Sequence, residues 1–284
     1  MKVFFCLFFL IGLKIYAQQA TLVPFEENKK WGYKDIHGNV IVAPQYQYVT
    51  KFHKGYASVY NDYKVGSIDS LGNLIIPVKY EYLEYIDNNH FVFGYRTKYF
   101  GEYDVGIIDS NEKVLIKPVF YYIQSVNDVY EVTLNKDSIM YSAGGQDVRS
   151  VKSFHGIYNQ EGKEVLPPIY DYIRWVDDKL IVLSKDNSEA LYTKNGENVT
   201  EFEYLFIGKF NNSLAAVKKE GKCGYLSKEG ILRTPVIYDR CTEFMNNKAI
   251  INVNGKWGLI DSNGNAILQP QYEYEYIIEN IKNE

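Results

Sequence analysis

Cysteine is scarce in this chain of 284 residues, which carries only Cys6, Cys223 and Cys241. So few thiols exclude a multi-disulfide scaffold and a four-cysteine zinc site. Histidine is nearly as scarce. His37, His53, His90 and His155 fall at unrelated positions and lack the His-Glu-x-x-His spacing of a helical zinc site. No Gly-x-Ser-x-Gly elbow and no phosphate-binding glycine loop occurs. Positive charge is short as well: 31 Lys and Arg against 35 Asp and Glu give a net charge of −4, with no basic stripe. That argues against nucleic acid as a partner. The expectation is a non-catalytic protein without metal or cofactor.

Long apolar runs are also missing. Val3–Leu13 follows Met1-Lys2 and stops at Lys14, well short of the roughly 20 residues a membrane span needs. With Ile15-Tyr16-Ala17 ahead of Gln18, residues 1–17 read as a cleaved signal peptide. Phe5 stands before Cys6 where a lipoprotein site would have a small residue, so lipid anchoring is not expected. The mature chain, 18–284, is then exported to the periplasm, cell surface or extracellular space. Loss of Lys2 and Lys14 takes its charge from −4 to −6. No Pro/Ser-rich linker interrupts it, so one continuous domain is expected.

What the chain has is aromatic residues, 27 Tyr, 15 Phe and 3 Trp, arranged in a repeat. Gly32, Gly66, Gly106, Gly156, Ala190, Gly224 and Gly258 serve as anchors, spaced 34, 40, 50, 34, 34 and 34 residues apart. Fourteen residues beyond each stands a ring: Tyr46, Tyr80, Phe120, Tyr170, Tyr204, Tyr238 and Tyr272. Six residues beyond each comes a second glycine, replaced once by Glu112. The longer steps place insertions near 96–103 and 135–152, the second including Gly144-Gly145. Neutral drift in surface turns is the favoured reading of both, with binding loops as the alternative.

The last copy shows the local logic. Ala249–Val253 reads as a strand, Asn254-Gly255 as a two-residue hairpin turn, and Trp257–Ile260 as the returning strand. Asp261-Ser262-Asn263-Gly264 then makes a turn with Gly264 left-handed, and Ala266–Leu268 is a third strand ending at Pro270. The slot of Asp35, Asp69, Asp109 and Asp261 also takes Asn, Thr and Ser, so turn capping explains it better than calcium. Such short strands cannot bury a core alone, so the units must stack. The predicted fold is all-β: seven tandem three-stranded antiparallel repeats, forming an open curved solenoid or a propeller-like ring. Strands this short exclude an outer-membrane barrel.

Two residues after each ring a second aromatic is common: Tyr48, Tyr82, Tyr122, Tyr172, Phe206 and Tyr274, with Arg240 the exception. A slot that accepts Arg faces solvent, because burying a charge is costly. Tyr48, Tyr82, Tyr122, Tyr172 and Tyr274 are therefore the candidate binding residues, while the first ring of each pair is core. Cys223 and Cys241 both occupy apolar slots. Two buried free thiols are expected there, with a disulfide as the alternative.

Lys30-Trp31-Gly32-Tyr33-Lys34-Asp35 and Lys256-Trp257-Gly258-Leu259-Ile260-Asp261 resemble the WG-repeat family, named for its Trp-Gly pair. The likeness covers nearly the whole mature chain. The middle copies put Val65, Val105, His155, Glu189 and Cys223 in the Trp slot. The resemblance implies a mainly bacterial repeat protein that binds or scaffolds, with a protein or cell-envelope polymer as partner. The alternative is a glycan-binding, lectin-like array using the second-ring tyrosines.

Overall fold

The computed structural model describes residues 22–141, 147–211 and 213–282. The expected signal peptide, Cys6 and the Gly144-Gly145 pair lie outside the described residues. Among the described residues, seven antiparallel sheets follow one another along the chain. In the second sheet Tyr48–Val49, Tyr56–Asn61, Lys64–Asp69 and Leu74–Tyr80 pair in chain order. Five sheets have four strands, one more than the three expected. The added strand opens two residues after the first ring, as in Tyr82–Asp87, Tyr122–Val126, Phe206–Ile207 and Arg240–Cys241. Tyr46 thus ends one sheet, Gln47 links, and Tyr48 begins the next: the aromatic pair straddles a boundary.

Hairpins form where two consecutive residues take positive φ, the geometry that matches strand twist. Asn254-Gly255 does so at 49° and 83°, and Asp62-Tyr63, Asn127-Asp128 and Asp186-Asn187 do the same without glycine. Asp, Asn and Gly tolerate this region best. The second turn is held by the recurrent aspartate: Asp261 Oδ1 accepts from the Asn263 and Asn265 amides at 2.9 and 2.8 Å. Gly264 closes it at φ +85. Glu112 takes the same left-handed backbone at φ 63. Its carboxylate pairs with Lys79 at 2.6 Å and accepts from the Tyr80 hydroxyl at 2.7 Å, contacts that tie it to the preceding sheet.

The anchor glycines have a separate reason. The third strand does not stop at proline. Ala266–Tyr272 runs through Pro270, and Leu74–Tyr80 through Pro77, each with a register shift that bulges the chain. The bulge lies over the anchor. A Cβ on Gly66 would sit 2.5 Å from the Ile76 carbonyl oxygen, and one on Gly258 2.6 Å from that of Leu268. Ala190 is the exception, and after it no regular third strand forms. The fifth sheet has only Tyr172–Trp175, Leu180–Lys185 and Ser188–Thr193, followed by isolated bridges such as Glu189 to Tyr204. Proline is tolerated because the third strand is a sheet edge, and there it blocks pairing with another chain.

Cores lie between sheets. Tyr33, Val42 and Tyr46 of the first sheet pack with Val49, Ala57, Val59 and Ile68 of the second. Five further clusters repeat this between successive sheets. The seventh cluster lies under the helix Tyr274–Lys282, whose Ile277 is fully buried against Ile250 and Leu259. Among the described residues no hydrophobic cluster joins the first sheet to the last. Every first ring from Tyr46 to Tyr238 is at most 9% exposed. Tyr272 has no following sheet, is half-buried, and stacks on Tyr276 of the helix at 4.4 Å.

Cys223 and Cys241 form a disulfide joining the sixth and seventh sheets, which corrects the expectation of free thiols. The Trp slot faces the first strand of the next sheet, so the two apolar positions meet. Closing an 18-residue separation stabilises by about 3 kcal/mol on loop-entropy grounds. The other middle copies use the same slot differently. The Glu189 carboxylate accepts the Ile207 amide of the sixth sheet at 2.7 Å, and Val65 and Val105 join inter-sheet cores.

The residue between the paired aromatics is a second joint, with no expectation attached to it from sequence. Glu81 pairs with Lys64 of its own sheet at 2.9 Å and accepts the Arg96 amide of the next at 2.6 Å. Asp239 does the same with Lys222 and the Asn254 amide. Gln47 caps the Asp62 amide at 2.9 Å without a charge. The Arg96 amide and then Lys64 hold the Glu81 carboxyl below its usual range; Lys222 and then the Asn254 amide do so for Asp239. Depressed carboxyls stabilise fully above the unfolded value near 4 and lose this as pH falls through the lower folded value. Thermal midpoints should therefore drop through that acid window, and less steeply in Glu81→Gln/Asp239→Asn. Equal slopes in the two proteins would disprove the carboxylate joint.

Candidate functional site

Tyr48, Tyr82, Tyr122 and Tyr172 each open the first strand of a sheet, whereas Tyr274 lies in the terminal helix. Tyr48 is 57% exposed, Tyr122 53%, Tyr274 41% and Tyr172 38%, whereas Tyr82 is half-buried. Their surroundings differ. Tyr48 leans on Tyr60 at 5.6 Å, and Tyr172 donates to Glu189. Tyr274 begins the terminal helix and packs on Trp257 at 4.8 Å. Tyr82 and Tyr122 come together in one groove; Tyr48, Tyr172 and Tyr274 do not line it.

That groove, of about 510 Å3, opens between the third and fourth sheets. Tyr82 packs on Tyr103 at 5.4 Å, and its hydroxyl donates to Glu84 at 2.6 Å. Burial, and then this bond to a carboxylate, push the Tyr82 phenol well above its usual range, so it stays a donor at any physiological pH. Exposed Tyr121 and Tyr122, with Gln124 and Ser125, form the facing wall. Asp87 is already committed, accepting from Ser125 and, at 2.8 Å, from the buried Tyr130 hydroxyl. Tyr130 OH also meets His90 Nδ1 at 2.6 Å.

The two insertions wall an adjoining cleft, which shares Glu102, Tyr103 and Tyr121 with the groove. The first is the loop 97–102; the second extends the hairpin of Val129–Tyr141 and Asp147–Tyr158 beyond its sheet. Arg149 clamps them together. Its guanidinium donates to both Glu102 carboxylate oxygens at 2.6 and 3.0 Å and to Asp137 at 2.9 Å, and lies 3.5 Å from the centre of the Tyr99 ring. Bidentate pairing over an aromatic face is a geometry arginine supplies and lysine does not. The insertions thus form one composite element. Each reads alone as polar loop sequence, and only the fold brings Glu102 to Arg149.

The WG containing repeat family model matches residues 31–64, 66–95, 156–187, 191–223, 224–257 and 257–283. No curated protein matches the chain. Solved structures similar to it include a eukaryotic initiation factor, at 11% identity and a TM-score of 0.33, covering 87% of this chain and 73% of that one. Hsv2p of Kluyveromyces lactis gives 11% and 0.28, covering 86% and 90%. The N-terminal domain of Nup159 gives 13% and 0.27, covering 88% and 73%. Likenesses this distant carry no functional argument. The six matched segments each hold the hairpin, the turn or the bulged edge strand described above, and the chain belongs to the WG-repeat family.

Proposed function

We propose that this is an exported, non-catalytic binding module that holds a protein partner at the groove between its third and fourth sheets. The observation carrying the reading is the groove itself. Five tyrosines line it where sequence insertions add a wall, and tyrosine supplies rigid contact area with a polar handle. Absence of turnover is supported by how the reactive groups are spent. The Ser125–Asp87 pair has no histidine on its hydroxyl, because His90 meets Tyr130 instead. Export is supported by the Cys223–Cys241 disulfide, which persists in oxidising compartments, and by the apolar start of the sequence. The five second rings lie in unlike surroundings, so a lectin-like row of equivalent sugar sites finds no support in their geometry.

A photo-crosslinking phenylalanine derivative placed at Tyr121 should trap the partner in the native compartment. The same group at Ile231, an exposed turn of the sixth sheet, should not. Equal yields at both positions would refute binding at the groove.

A further inference from the structure

We infer that the groove receives a cationic side chain, a lysine or arginine on an extended segment of the partner; this rests on the binding reading above. Glu84 carries the argument. It is exposed at the groove, accepts a hydrogen bond from Tyr82, and pairs with no cation among the described residues. Asp87 and Glu102, the other carboxylates of the lining, are occupied by Ser125 and Tyr130 and by Arg149. They still leave the field of the groove negative. Its single lysine, Lys54, makes no ion pair with Glu84 among the described contacts.

Aromatic faces complete the site. Tyr82, Tyr85, Tyr103, Tyr121 and Tyr122 line the same groove as Glu84, and a cation is attracted to an aromatic face within about 6 Å of the ring centre. An anionic ligand would face an uncompensated carboxylate. A neutral sugar would satisfy hydrogen bonds at Glu84 and Gln124 but leave the charge unmatched. A side chain with its flanking backbone fits a volume of about 510 Å3.

The test is fluorescence anisotropy of a labelled Lys-containing hexapeptide on the full chain, against the same peptide with every lysine acetylated and against chitotetraose. The basic peptide should bind, and acetylation should weaken it about tenfold or more through loss of the cation. Glu84→Gln should weaken binding by a similar factor, and Tyr122→Leu about fivefold, with thermal midpoints unchanged. Equal affinity for the acetylated peptide, indifference to Glu84→Gln, or binding of chitotetraose in place of the peptide overturns the inference. If no peptide binds while crosslinking at Tyr121 still traps a partner, the ligand class is wrong and the binding reading stands. If crosslinking fails too, both fall.

Discussion

Gly66→Ala is expected to unfold the second sheet at a temperature far below that of the wild type, with a loss of about 3 kcal/mol. The added methyl would stand 2.5 Å from the Ile76 carbonyl oxygen and 2.8 Å from Val78 N, both backbone atoms that no rotamer change can move. Relief requires opening the bulge, which carries Ile76 and Tyr80 into the core shared with the third sheet. Two comparisons isolate the cause. Gly101→Ala meets nothing within 4 Å, so only its left-handed φ of +78 is strained, at about 1 kcal/mol. Ala190→Gly removes no clash, because the fifth sheet lacks the bulged strand, and should cost about 1 kcal/mol in backbone entropy. Hydrogen exchange of the second sheet, with denaturant melts, reads the difference. A Gly66→Ala chain that melts with the wild type would remove the bulge as the reason for the anchor.

Tyr80→Ala and Tyr122→Ala should separate by nearly as much. Tyr80 is 5% exposed, packs edge-on against Phe93 at 5.4 Å, and gives its hydroxyl to Glu112. Deleting it opens a cavity between the second and third sheets and leaves Glu112 one donor short. About 3–5 kcal/mol should be lost. Tyr122 has half its surface in water, and its removal should change stability by about 0.5 kcal/mol or less while weakening partner capture. Tyr82, half-buried on Tyr103, should fall between them. Equal destabilisation by Tyr80→Ala and Tyr122→Ala, read from chemical denaturation, would make both rings core.

Features fixed by local chemistry were legible in the sequence. Asn254-Gly255, the Asp261 turn and left-handed Gly264 follow from residues within a few positions of one another, and the buried first rings followed from their invariance across copies. What escaped depends on neighbours in space. The strand Tyr48–Val49 is too short to show an alternation, and its Tyr reads as one motif with Tyr46 although a sheet boundary runs between them. Glu81 drew no expectation because its two partners, Lys64 and Arg96, lie 17 and 15 residues away in different sheets. The recurrence of Lys64/Glu81, Lys222/Asp239 and Lys256/Glu273 was the available signal. Tyr274 continued the aromatic pattern yet starts a helix. Half of the candidate site was visible, in Tyr82 and Tyr122; Glu84 and the Arg149 clamp were not.

The offset between repeat and sheet bears on how such a chain lengthens. The five four-stranded sheets each run from the second slot of one repeat to the first ring of the next, so none of these five is encoded by a single repeat. A duplication of 34 residues is nevertheless in phase wherever its ends fall, since any cyclic permutation of the unit adds one sheet and one joint. Gene copying need not find the structural seam. An unequal crossover at an arbitrary point keeps the repeat in phase.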